Sequence, residues 1–248
     1  MIVLKNEEQI EGIRVSCKLL SQLHKALRTF VNEGMTTKQI DTFCYKFIKD
    51  NHGEPAFLNY MGFPATACIS VNDEIIHGIP GKRIIHNGDI VSIDLGINLN
   101  GYFSDSAQSI IIGKGTEKLL KLNTVTKQCL ERAISEVKAG NRIHDISQAV
   151  FKHARKNGFG VVREYCGHGV GLSQHEDPQI PNYISIGPNP RLRKGMVIAI
   201  EPMINMGSRN IKNLDNGWTV VTRDGQPSAH WEHTVLVLED GVEVLTAL

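Results

Sequence analysis

The chain has 248 residues, 41% apolar and 21% charged, with 27 Lys and Arg against 26 Asp and Glu. That is enough material for a sizeable core, and a near-neutral balance without a basic block does not suit a nucleic-acid binder. No apolar run approaches the ~18 residues of a membrane-spanning helix, and the opening MIVLKNEEQI turns acidic too soon for a secretory leader.

Two helical patterns come first. Ile10, Ile13, Cys17, Leu20, Leu23 and Leu27 recur every three or four residues and predict a helix over about 7–31. Thr36 and Thr37 then introduce a second helix, with Ile40, Phe43, Cys44 and Phe47 inward, which stops near Asn51-His52-Gly53. Strand-like segments follow at 67–71, 90–95 and 109–112. The order then recurs, with helices at about 116–138 and 144–157 and strands near 161–162, 196–200, 219–222 and 234–238. This predicts an α+β fold in which helices cover a largely antiparallel sheet. With no linker or low-complexity stretch, residues 1–248 read as a single domain with similar halves at about 7–112 and 116–247. The five cysteines (17, 44, 68, 129 and 166) are odd in number and form no CxxC pair. They argue against disulfides or a zinc knuckle and for a reducing, cytoplasmic compartment.

The informative residues are charges inside apolar strands. Asp94 sits within Asp89-Ile-Val-Ser-Ile-Asp94-Leu-Gly-Ile97, and Asp105 follows eleven positions later, after the turn signal Asn98-Leu99-Asn100-Gly101. With Leu99-Asn100 as the turn, 94 falls opposite 105; with Asn100-Gly101, 105 falls opposite 96. Both registers put the two carboxylates on one face, where like charges destabilise a sheet unless something positive lies between them. Glu201 closes a second apolar strand and Glu232 opens a third. Burying four unpaired carboxylates is too costly to be incidental. His168, between Gly167 and Gly169, reads as a loop imidazole that tight glycine turns push into a cleft. His175 and His77 lie in other Gly/Pro-punctuated loops. Four carboxylates and an imidazole suit two divalent ions rather than a structural zinc, and four negative ligands balance two doubly charged cations. Such a centre performs hydrolysis.

Over its whole length the sequence resembles the type I methionine aminopeptidases of the pita-bread fold. The motifs are CISVNDEIIHGIP (68–80), GDIVSIDLG (88–96), GYFSD (101–105), REYCGHGVG (163–171), HEDPQI (175–180), GMVIAIEPM (195–203), GWTVVTRDG (217–225) and HWEHTVLV (230–237). The resemblance implies metal ligands Asp94, Asp105, His168, Glu201 and Glu232, with Asp105 and Glu232 bridging two divalent ions (Co, Mn, Fe or Zn). It implies that His77 contacts the reacting end of the substrate, that His175 stabilises the oxyanion, and that Glu201 doubles as acid and base. Tyr60, Phe63, Cys68 and Trp218 would form a methionine pocket. A monovalent cation would lie near Asn72, Glu74 and Ser228. Phe57 and Gln174 depart from the family pattern, which often has cysteine and an aromatic residue there.

The implied activity is removal of the initiator methionine from nascent chains with a small second residue, in the cytoplasm at the ribosome, by a monomer with no nucleic-acid or membrane partner. Rivals of the same fold are Xaa-Pro aminopeptidases and prolidases, which usually carry a large N-terminal domain. The type II methionine enzymes insert a helical segment between the last two glutamates, here only 31 positions apart. A metal-free binding module is the rival from another class.

Overall fold

A computed structural model describes residues 1–247. The four α-helices among the described residues are α1 (Glu7–Phe30), α2 (Thr37–Asp50), α3 (Glu117–Ser135) and α4 (Ile143–Lys156). Their starts follow from side-chain caps. Asn6 with Gln9, and Thr36 with Gln39, form reciprocal capping boxes, and Thr116 accepts from the Leu119 N–H.

Each helix pair covers one sheet. In the first, the long strand Ile90–Leu99 pairs antiparallel with Tyr102–Ile111 on one side and with Ala67–Val71 and Glu54–Pro55 on the other. Val91, Ile93, Leu95 and Ile97 share a core with Leu20, Leu23 and Leu27 of α1 and Ile40, Cys44 and Ile48 of α2. Strand alternation therefore turns Ser92, Asp94 and Gly96 to the opposite face. The second sheet runs Gly241–Val244, His233–Leu238, Val197–Ile200, Gly167–Gly169 and Glu176–Ile180 in spatial order, antiparallel throughout. Ile198, Ile200, Val235 and Val237 pack against α3 and α4. Val197 and Ala199 turn the other way, toward Ile13 and Cys17 of α1. Two three-stranded sheets complete the fold.

The two sheets are stitched along one seam. Thr234 Oγ1 accepts from the Asp105 N–H (3.2 Å) and donates to the Asp105 carbonyl (2.7 Å). The Glu232 N–H donates to the Ala107 carbonyl at 2.9 Å. Ser109 Oγ donates to the His230 carbonyl and accepts from its N–H, both at 2.9 Å. The register 105–234, 107–232, 109–230 descends by two at each step, so the two sheets meet like strands joined partly through hydroxyls.

Beyond several short strands that were not expected, sequence expectation and structure differ at His168 and in the second strand of the hairpin. The glycines around His168 make no tight turn: Gly167–Gly169 is a strand inside the second sheet. A Cβ on Gly167 would lie 2.3 Å from the Ala199 carbonyl oxygen, and one on Gly169 would lie 2.2 Å from that of Asp177. Those glycines admit close backbone approach. The expected strand at 109–112 is the end of a longer one, because polar Ser104, Ser106 and Gln108 hide its pattern. These residues face α1, where Ser16 Oγ donates to Ser104 Oγ and the Gln108 amide donates to the His24 carbonyl.

His24 joins α1 to this strand, its Nε2 lying 2.9 Å from the Ser106 carbonyl. Burial lowers its pKa from 6.5 to about 4. Between those values the unfolded chain binds a proton that the folded chain refuses. Stability therefore falls as pH drops through 6.5 and stops falling near 4. The shift corresponds to on the order of 3 kcal/mol. In urea unfolding at stepped pH, a His24→Gln variant, which keeps a donor for Ser106, should lose less stability over this range than the parent. Parallel curves for the two proteins would refute the assignment.

Candidate metal centre

The hairpin turn is Asn100–Gly101, with φ of 55° and 88°, a two-residue turn built on left-handed backbone. Gly96 lies opposite Asp105 and Asp94 opposite Ala107, so the second of the two registers applies. Asp94 and Asp105 share the face turned away from α1 and α2. From the second sheet, His168 lies opposite Ala199, which pairs with Thr234 on the other side. Glu201 follows strand Val197–Ile200 directly and Glu232 precedes His233–Leu238. All five side chains line one cavity of about 340 Å³.

Ligand-type atoms of Asp105, His168 and Glu232 lie within 4.8 Å of one another. His168 Nε2 is 3.6 Å from Asp105 Oδ2 and 3.6 Å from Glu201 Oε1. His168 Nδ1 lies 2.8 Å from the Gly169 carbonyl, an acceptor only, so it carries the ring proton. The Nε2 lone pair then points at two carboxylates. Burial lowers the His168 pKa to about 3, with His175 adding to the effect, so a second ring proton does not resolve the clash.

The carboxylates are strained in the same sense. Burial, followed by the other carboxylates, raises Asp105 and Glu232 well above their usual range. Burial pushes Asp94 up to about 7 and Glu201 up to about 8. Asp94 Oδ1, Asp105 Oδ1 and Glu232 Oε1 are buried without a hydrogen-bond partner. Carboxylate oxygens without a partner, gathered in one cavity with an imidazole lone pair, form a donor set for cations. The residues fit divalent metal ions.

Most of the rest of the cavity is apolar or aromatic. Phe57, Tyr60, Phe63, Cys68 and Trp218 line it with His77 and His175. The Phe63 and Trp218 rings meet edge to face at 5.1 Å, and His77 stands edge-on to Trp218 at 6.1 Å. His77 has a left-handed φ of 57°, and burial lowers its pKa to about 4. At the mouth, His175 Nδ1 lies 3.0 Å from the Tyr60 hydroxyl, and its ring is 4.2 Å from that of His168.

Asn72 and Ser228 meet outside this cavity, where the Ser228 N–H donates to the Asn72 carbonyl at 2.9 Å. Glu74 accepts from the Val71 N–H and from Arg83.

Sequence reasoning missed His230. It is buried, and its Nε2 lies without a hydrogen bond 3.7 Å from Glu201 Oε2. The signal was its place two residues before Glu232, which puts both on one face of an extended segment. Glu164, Tyr165 and Cys166 also line the cavity and were not singled out.

Residues 11–239 match the model of metallopeptidase family M24. The chain is 50% identical over 247 residues to a methionine aminopeptidase of Treponema pallidum, covering 99% of this chain and 96% of that protein. The crystal structure of a methionine aminopeptidase from Thermotoga maritima superposes with a TM-score of 0.97 at 40% identity, covering both chains completely. A prolidase from Pyrococcus furiosus has a TM-score of 0.82 at 27% identity; the match covers 99% of this chain but 66% of the prolidase.

Crowded carboxylates destabilise an ion-free protein, so neutralising one should relieve repulsion. Glu232→Gln should raise the melting temperature of EDTA-treated protein, and excess Mn(II) should stabilise the variant less than the parent. An ion-free variant melting below the parent would contradict this.

Proposed function

The chain belongs to metallopeptidase family M24, and we propose that it is a methionine aminopeptidase that removes the initiator methionine from peptides with a small second residue. The observation that carries this is the convergence of Asp94, Asp105, His168, Glu201 and Glu232 at the end of an apolar pocket. These five would hold two divalent cations, and Asp105 and Glu232 lie at the centre of the set beside His168. Bound there, the cations supply Lewis acidity toward the scissile carbonyl and make a water acidic enough to attack at neutral pH.

The chain's own residues do the rest. Tyr60, Phe63, Cys68 and Trp218 offer a polarisable slot for an unbranched thioether, and Phe57 fills the space beside Gly96. His77, neutral at physiological pH, contacts the reacting end of the substrate. Glu201 takes the proton of the attacking water and returns it to the departing amine as the C–N bond breaks. When the Tyr60 hydroxyl donates to His175 Nδ1, the ring proton sits on Nε2. That N–H can then donate to the carbonyl oxygen as it gains charge, a contribution of about 3 kcal/mol in comparable sites.

The two halves act as one catalytic unit, because the ligands come from both. A monovalent cation near Asn72, Glu74 and Ser228 is part of this reading. So are nascent chains at the ribosome as substrates, a cytoplasmic workplace and a monomeric enzyme. Five unpaired cysteines suit that compartment, and no helix among the described residues is long and apolar enough to cross a membrane.

His175→Ala should lower kcat on Met-Ala-Ser about a hundredfold or more with little change in KM, and Glu201→Ala should lower it further. Circular dichroism should show both folded. Near-normal turnover by either would defeat the assignment of roles. The parent enzyme should lose activity in EDTA, regain it with Mn(II) or Co(II), and ignore Xaa-Pro dipeptides. Preference for an Xaa-Pro bond would favour the prolidase reading instead.

A further inference from the structure

One buried polar side chain touches the centre without lining its cavity. Gln174 lies in the loop between strands Gly167–Gly169 and Glu176–Ile180, one residue before His175, and is 2% exposed. Its Nε2 donates a 2.7 Å hydrogen bond to Asp105 Oδ2. That is the Asp105 oxygen nearest His168 Nε2, at 3.6 Å. The other end of the amide gains nothing, since Oε1 is buried without a partner beside Gly96. A buried amide with an orphaned oxygen costs stability, and a hydrocarbon of equal size would fill the space without that cost.

The loop that presents Gln174 is tied down by Glu176. Glu176 Oε1 accepts from the Leu172 and Ser173 N–H groups at 2.7 and 3.2 Å. Its other oxygen pairs with Lys5, and both side chains are almost fully buried. The Gln174 amide is therefore aimed from a fixed backbone.

From this geometry we propose that Gln174 is a positioning residue for the metal centre. Its amide fixes the rotation of the Asp105 carboxylate, turning Oδ2 toward His168 and leaving Oδ1 free toward the rest of the site. Gln174 thereby sets the affinity for the cation on the His168 side more than for its neighbour. This rests on reading Asp105 and His168 as ligands. Outer partners of ligating carboxylates typically change metal affinity by about ten- to a hundredfold.

The test is Co(II) titrated into metal-free full-length protein, followed by calorimetry and by visible absorption. Gln174→Met preserves length and volume and removes the donor. One of the two cobalt equivalents should bind about ten- to a hundredfold more weakly, with a shifted d–d band, while the other changes little. A glutamine that merely fills space would leave the band unmoved. Equal affinities and an unchanged spectrum overturn the role of Gln174 and leave the metal reading standing. Parent protein that binds no cobalt overturns both. If the Met variant lacks native near-ultraviolet dichroism, Gln174→Leu takes its place with the same criteria.

Discussion

Four carboxylates confined in one cavity repel one another unless cations lie among them, and the architecture is arranged around that constraint. The hydrophobic work is done on the outer sides, where α1 and α2 bury one sheet and α3 and α4 the other. Part of the inner faces is left for groups that oppose folding when the ions are absent, and the rest packs on α1. His168 fits the same logic: its proton goes to the Gly169 carbonyl, and its lone pair goes to the centre. The protein tolerates a destabilised interior because the apolar cores around it hold it open for ligand binding.

Much of this was legible in the sequence. The apolar stripe of α1 and Thr36 before α2 mark helices that packing then leaves in place. Charges at Asp94 and Glu201 within apolar runs announce the site because nothing but function explains their burial. What escaped did so for identifiable reasons. Strands Met203–Asn205 and Ser228–His230 are three residues long, too short for alternation to register. The strand carrying His168 is mostly glycine, which reads as a loop until Ala199 and Asp177 are seen pressing against it.

Gln174 and His230 were hard to weigh for a different reason. Each matters through a contact across a large sequence separation, 69 residues to Asp105 in the first case. A polar residue in a loop and a histidine beside tryptophan have no periodicity to betray them. The hairpin register was a smaller ambiguity of the same kind. Parity alone gave the shared face of Asp94 and Asp105, but the choice of Asn100–Gly101 depended on left-handed backbone at both positions.

The seam between the sheets has a consequence for how the site can change. The contacts at Asp105, Ala107 and Ser109 fall on alternate residues, like the teeth of a zip, and Ser106 adds a bond to the Glu232 carbonyl, so the hairpin cannot slide past the second sheet by one notch without releasing every tooth. The distance from the Asp105 backbone to that of Glu232 is therefore either held or lost. Accommodation of larger or smaller ions falls to side-chain rotation alone, on a chassis that does not stretch.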